Sequence, residues 1–443
     1  MAKKQPLKRA LVGFEIEFFT LNKNGYVVNA ADVLLKKAKK GKSELNVKTE
    51  CAKNLMEIAS YPNEQVLDTM DNLLGELEYL LSIAEKEELL LLPLGSYPGS
   101  FHPKMREDKP YMIKQSIFGK NRFLIAGRCA GFHCHYTLPK GIFDEQMRIV
   151  KMLVRSKIKD SLVNSYNFLI AADPALSTLM QSSPYYQGKY YGKDSRIIWY
   201  RGGRRLDNMK GLYAYLQEFG GLPPYRLTAL DILDIVTTRY ERWRGHVKNL
   251  GINLRVISRY GSVLDTTWNP VKINPNGTLE QRGMDMNHIQ YIGGIGNIIK
   301  YILKKLQEEF YAVVPSDIGI KEPFKVEGDT VYIPPFAYVK TDLQKFSAYE
   351  GLDNDAVYNH CKRFVKFAAS VIPKEHHDLI NPFKRMIEEK KTVSDEILQL
   401  AKKKGFGKED KLPNKIAAEI AIEHSKRVFK DIVFARELIR ASK

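Results

Sequence analysis

The chain has 443 residues, 44% hydrophobic and 27% charged, the composition of a soluble globular protein with ample length for a sizeable core rather than of a disordered one. No apolar run nears the roughly 18 to 20 residues of a membrane span, the start "MAKKQPLKRA" has no secretory apolar stretch behind it, and four cysteines without a disulfide framework point to a reducing cytoplasm. The net charge is +18, and residues 361–443 hold 20 basic against 12 acidic residues (+8), but they are scattered through helical patterns, so a solvated surface is favoured over a nucleic-acid tail.

Residues 10–20 read as a strand and "NLMEIAS", from Asn54, as a second one. From Asn63 a helix follows, with Leu67, Met70, Leu74, Leu77 and Leu81 spaced by three and four. The run ending in "LGSYP" reads as a strand meeting a loop, and "RFLIAGRCAGFHCHYTL" as a long or bulged strand. A helix is expected from about Glu145 to Ala171. Behind it comes a polar, Gly- and Tyr-rich segment, 182–208, too long for a plain connector and therefore expected to be functional. Thr228 with Asp231 predicts a capped helix running toward Leu250. Strands are expected again at 253–261 and 277–285. Asn287 with Gln290 starts a helix to about Val313, residues 329–340 read as a strand, and helices follow Lys345 with breaks at Pro373, Pro382 and Pro413. "GGIG" at Gly293 lacks the Lys-Ser/Thr of a phosphate loop and reads as close helix packing. Strands and helices do not alternate regularly, which argues for a mixed, largely antiparallel α+β sheet.

Three of the strand segments carry polar pairs two residues apart, hence on one face: Glu15 with Glu17, His133 with His135, and Glu280 with Arg282. Glu57 sits alone between Met56 and Ile58. Buried carboxylates repel one another and need a cation. Hard divalent ions such as Mg²⁺ take carboxylate oxygens and leave positions for phosphate and water, while arginine grips phosphate or carboxylate with a planar fork. Ions plus arginine around an anion is the arrangement that phosphoryl transfer needs. Each pair alone has a plainer reading: carboxylates facing solvent, satisfied histidines, a surface ion pair. Repetition on three strands favours the shared site. A zinc site at Cys129 and Cys134 lacks the usual second pair.

In this order, "GFEIEFF", "LMEI", "LGSYP", "AGFHCHY", "SSPYYQGKYYGKDSRIIWYR" and "GTLEQRGMD" make the chain resemble the carboxylate–amine ligases of the glutamate–cysteine ligase type 2 family, distant relatives of glutamine synthetase. The resemblance implies a curved, mainly antiparallel sheet forming a funnel-shaped site flanked by helices, with a catalytic α+β domain at 1–345 and a helical C-terminal region, 346–443, packed on it. It implies activation of the γ-carboxylate of glutamate, or a similar acid, as an acyl phosphate at the expense of ATP, followed by attack of an amine. Carried over, Glu15, Glu17, Glu57, His133 and Glu280 are expected to hold two or three Mg²⁺ ions, with Mn²⁺ an alternative. His135 is expected near the ATP phosphates. Arg196 and Arg282 would neutralise the transferring phosphoryl group, so that Glu57, Arg196, Glu280 and Arg282 carry catalysis. Gly95 and Ser96 resemble a substrate-side loop, where this chain has Ser96 and Tyr97 in place of the family's Thr and His. Arg201, Arg204 or Arg205 are candidates for an anionic acceptor site, Glu57 or Asp285 for the base, and the 181–205 loop for a lid. Small-molecule substrates, a possible homo-oligomer and no membrane complete the expectation. The competing reading is a Mg²⁺-dependent nucleic-acid-binding protein or nuclease, disfavoured because the aromatics cluster at 185–200 and no nucleic-acid module is present.

Overall fold

A computed structural model describes residues 10–42, 44–151, 156–255 and 262–441. Its centre is a seven-stranded sheet of β1 (Val12–Asn22), β2 (Val47–Thr49), β3 (Leu55–Ala59), β4 (Leu89–Leu92), β5 (Gly131–Thr137), β6 (Val271–Asn274) and β7 (Thr278–Asp285). Strand order is β6-β7-β5-β1-β3-β2, with β4 paired to the end of β1, and every pairing in this sheet is antiparallel. The fold is thus mixed α+β with an antiparallel sheet and a helical C-terminal region.

The alternation in β1 sorts its side chains. Phe14, Ile16 and Phe18 are buried on one face, leaving Glu15 and Glu17 on the other. The apolar face is covered by helices, among them Val66–Lys86 and Ile289–Glu308. Close approach there depends on the "GGIG" glycines: a Cβ on Gly296 would lie 2.3 Å from the Phe14 ring, and one on Gly294 2.3 Å from the Leu379 carbonyl oxygen. The packing reading of that motif holds. Helix Ala229–Asn249 begins with the expected Thr228–Asp231 capping box.

Several expectations fail for local reasons. The helix expected from Glu145 starts at Lys157, capped by Ser156, and runs to Leu179. Residues 143–150 instead form a small hairpin, where Asp144 Oδ1 accepts the backbone N–H groups of Gln146 and Met147 and so competes with helix formation. The helix expected to reach Val313 ends at Glu308, and Ala312–Pro315 joins a small sheet beside Thr330–Ile333. That second strand stops before Pro334 and Pro335, which cannot donate to a ladder. The long strand expected at 122–138 is short helical turns up to Arg128 and strand only from Gly131. Of the strand expected at 253–261, residues 256–261 lie outside the described ones and 253–255 are not strand.

Candidate active site

Register brings the polar residues together. Along the sheet, Glu17 lies opposite Glu57 and Glu57 opposite Lys48; Glu15 lies opposite His133; and His135 lies opposite Glu280, which lies opposite Lys272. Directly opposed residues in antiparallel strands share a face. One face of the sheet therefore carries Glu15, Glu17, Glu57, His133, His135, Glu280 and Arg282, the residues singled out from the three strand pairs and Glu57.

Their contacts are short. Glu15 Oε2 is 3.0 Å from His133 Nδ1 and 3.5 Å from His135 Nε2. Glu280, fully buried, accepts from Arg282 Nη1 at 2.5 Å and from Asn274 Nδ2 at 2.7 Å. Glu17 Oε2 accepts the Gly131 N–H at 2.6 Å, and its Oε1 faces His133 Nε2 at 3.7 Å. Burial, followed by the nearby Arg282, pushes the His133 imidazole down to about 4, so it is neutral near pH 7. When Nδ1–H donates to Glu15, the bare Nε2 faces Glu17, a pair that either a proton on Glu17 or a cation between them relieves.

Among the described residues, three groups offer ligand atoms that all lie within 4.8 Å of one another: Glu15, Glu57 and His133; Glu15, His135 and Glu280; and Glu17, Glu50 and Glu57. Burial pushes the Glu17 carboxyl up to about 7, against the pull of Arg196. Burial and then Glu15 push Glu57 up to about 8, and burial and then Glu17 push Glu50 up to about 7. Glu15 and Glu280 go the other way. Burial opposes ionisation at both, but the two histidines outweigh it at Glu15, and Arg282, His135 and Lys272 outweigh it at Glu280. Crowded carboxylates with neutral imidazole among them suit divalent cations. Burial lowers the His135 imidazole, but the Glu280 and Glu15 carboxylates outweigh it and raise its pKa, and its Nε2 faces Glu15 Oε2 at 3.5 Å, so it becomes a ligand only where a bound cation displaces its proton.

A cavity of about 220 Å³ adjoins this face, lined on its polar side by Glu17, Glu50, His133, Arg196 and Arg282. Its lining also includes Lys114 and the apolar or aromatic Tyr111, Phe123, Tyr200, Leu212, Tyr213 and Trp268. Arg196 is aimed by a β-bulge. Between Gln281 and Met284 the register of β7 shifts, and the carbonyls of Arg282 and Gly283 turn toward the guanidinium at 3.4 and 3.2 Å. Tyr200 stacks on it with its ring centroid 5.2 Å away, and Arg196 Nε has no partner among the described residues.

Gly95 and Ser96 do not line this cavity, and Arg201 lines a smaller pocket that shares Arg196, Tyr200 and Arg282 with it. A Cβ at Gly95 would strike the Asp285 carboxylate at 2.2 Å, and Ser96 Oγ donates to the Tyr185 carbonyl at 2.7 Å. Arg201 is buried and held by both oxygens of Asp173, at 2.6 and 2.9 Å. Arg204 and Arg205 are exposed. Asp285 accepts the Ser182 N–H at 3.0 Å behind the site. Cys129 reaches the cavity but joins no metal-binding group among the described residues, and Cys134 is core. The 181–205 segment is a packed wall and not an open lid: Ser182, Ser183, Asp194 and Ser195 are fully buried, and its backbone bonds to Ala348 and Leu412. Reading by sequence missed Lys48, Glu50 and Lys114. Lys48 lies on β2, which is only three residues long and shows no pattern of its own, and Glu50 follows it on a loop.

No curated protein matches the sequence at a significant level. Among solved structures, a bifunctional glutathione synthetase from Pasteurella multocida superposes with a TM-score of 0.58 at 13% identity, covering 95% of this chain and 53% of that one, so this chain spans about half its length. A glutamate–cysteine ligase from Francisella tularensis in complex with AMP superposes with a TM-score of 0.53 at 15% identity, covering 98% of this chain and 93% of that one. At such identities these likenesses speak for the fold. The profile of glutamate-cysteine ligase family 2 matches residues 11–290, the stretch that holds β1 to β7 and all the acids described above. On that match, over more than half of its length, the chain belongs to glutamate-cysteine ligase family 2.

Proposed function

We propose that this protein is an ATP-dependent carboxylate–amine ligase acting on small molecules, with glutamate or a similar acid as donor. The observation that carries this reading is the convergence of Glu15, Glu17, Glu57 and Glu280 from three strands on one face, with Arg196 and Arg282 beside them. The donor carboxylate attacks the γ-phosphorus of ATP, ADP leaves, and an acyl phosphate forms. The amine then attacks the acyl carbon, the C–O bond to phosphate breaks, and the ammonium proton is released. Carboxylate alone is a poor acyl donor because oxide would have to leave; phosphate leaves readily once its charge is neutralised.

Glu15, Glu17, Glu57, Glu280, His133 and His135 would hold divalent ions, Mg²⁺ or Mn²⁺, which supply charge neutralisation at the phosphates when bound. Arg282 is anchored by Glu280, which fixes its guanidinium at the cavity edge. Arg196, aimed by the bulge and Tyr200, supplies the second fixed positive charge. The aromatic wall excludes water from the intermediate. Four free, buried cysteines suit a reducing cytoplasm.

The test is incubation with ATP, Mg²⁺, glutamate and pools of amines, following ADP and condensation products by mass spectrometry. Amine-dependent ADP release with a matching amide is expected. Absence of turnover with every acid and amine, in protein shown to bind ATP, would remove the reading.

A further inference from the structure

Lys48 enters the site from its edge. It lies on β2, opposite Glu57, and its Nζ is 3.2 Å from Glu57 Oε1 and 3.7 Å from Glu15 Oε1. Its side chain is 57% exposed, so it reaches over the acids from solvent. Glu57 also belongs to the group with Glu17 and Glu50, but among the described residues only the Glu15–Glu57–His133 group contains both carboxylates that Lys48 touches. On the same face His135, 7% exposed, holds its Nε2 3.5 Å from Glu15 Oε2 without completing a hydrogen bond among the described residues.

A divalent ion bound to those carboxylates would sit about 2 Å from their oxygens, within a few ångströms of the ammonium. At such separations an ammonium and a dication repel each other even where solvent partly screens them. Ion and ammonium therefore exclude each other, and a half-exposed lysine can swing into solvent. We propose that Lys48 is a tethered cation that competes with a divalent ion for the Glu15–Glu57–His133 group, making it the weakest metal position and the last to fill. The proposal rests on the metal-dependent ligase reading.

Mn²⁺ alone, titrated into the full chain without nucleotide, tests it. Free Mn²⁺ is counted by electron paramagnetic resonance, and thermal midpoints are recorded beside it. In Lys48→Met the weakest class of sites should tighten about tenfold and the Mn²⁺-induced rise in midpoint should grow, while Lys48→Arg should keep the wild-type isotherm. Superimposable isotherms for wild type and Lys48→Met would overturn the role of Lys48 and leave the metal site standing. No Mn²⁺ bound by either protein would overturn both the role of Lys48 and the metal-dependent ligase reading beneath it.

Discussion

Glu280 has no solvent contact and is nevertheless ionised, because Arg282, His135 and Lys272 surround it. Removing one member of such a set strands the others, and unpaired buried charge is costly. Glu280→Gln and Arg282→Ala should each lower product formation by about 10² to 10³-fold, the effect of deleting a charge-stabilising group at a reacting centre. Both should still unfold in one cooperative step by circular dichroism. Turnover unchanged in both would take the pair out of the chemistry. At this scale the strand pairs and Glu57 were legible, since alternation alone fixes which residues share a face. Glu50 and Lys114 were not. They lie on a loop and on helix Lys109–Phe118, and only the way those segments fold over the sheet turns them to the cavity.

At the level of elements, the back of the sheet positions its front. Phe14 and Glu15 are adjacent in β1, one packed on Gly296 and the other facing the acids. Gly296→Val should push Phe14 and β1 outward, costing about 1–3 kcal/mol as overpacking does. Urea midpoints should fall, and Mn²⁺ affinity should fall with them although no ligand is changed. A variant that is destabilised but binds Mn²⁺ as the wild type does would uncouple the helix from the site. The wall at 182–208 teaches the converse. Its polar, glycine-rich composition resembled a mobile loop, yet Lys193 is clamped by Asp353 and Asp395, and Ser394 bonds to the carbonyls of Gln181 and Lys193. Those partners come from 150 or more residues later in the chain, so no local pattern announces them.

Across the whole molecule one hydrophobic cluster runs from Val12 to Ile439, so the C-terminal helices share the core of the sheet. His360 is part of this union. It lies buried on helix Asp355–Val371, and its Nε2 donates to the Ala171 carbonyl at 3.0 Å. Burial holds the imidazole down at about 4. The unfolded chain thus binds this proton at higher pH than the folded one, so the stability it contributes is complete above about 6.5 and is lost as pH falls toward 4. From pH 7 to 5 the loss should be about 2 kcal/mol, and His360→Gln should flatten that slope in urea titrations. An equal slope in both proteins would exclude His360 as its source. Mn²⁺ should raise the thermal midpoint, since an ion bound only by the folded state at a hundred times its Kd adds about 2.7 kcal/mol, and a chelator should reverse the gain.

The sequence by itself determined which side chains could face together, because a period of two is a local property of the backbone, and it placed the family through the order of six short segments. Only the tertiary structure decided the rest. Strand register set which acids are neighbours, the bulge in β7 aimed Arg196, and distant helices closed the wall around the cavity. Arg201 shows the limit: its pairing with Asp173, 28 residues away, is not visible in the sequence. Pairing across such distances depends on summed burial and shape, which no window of neighbouring residues contains.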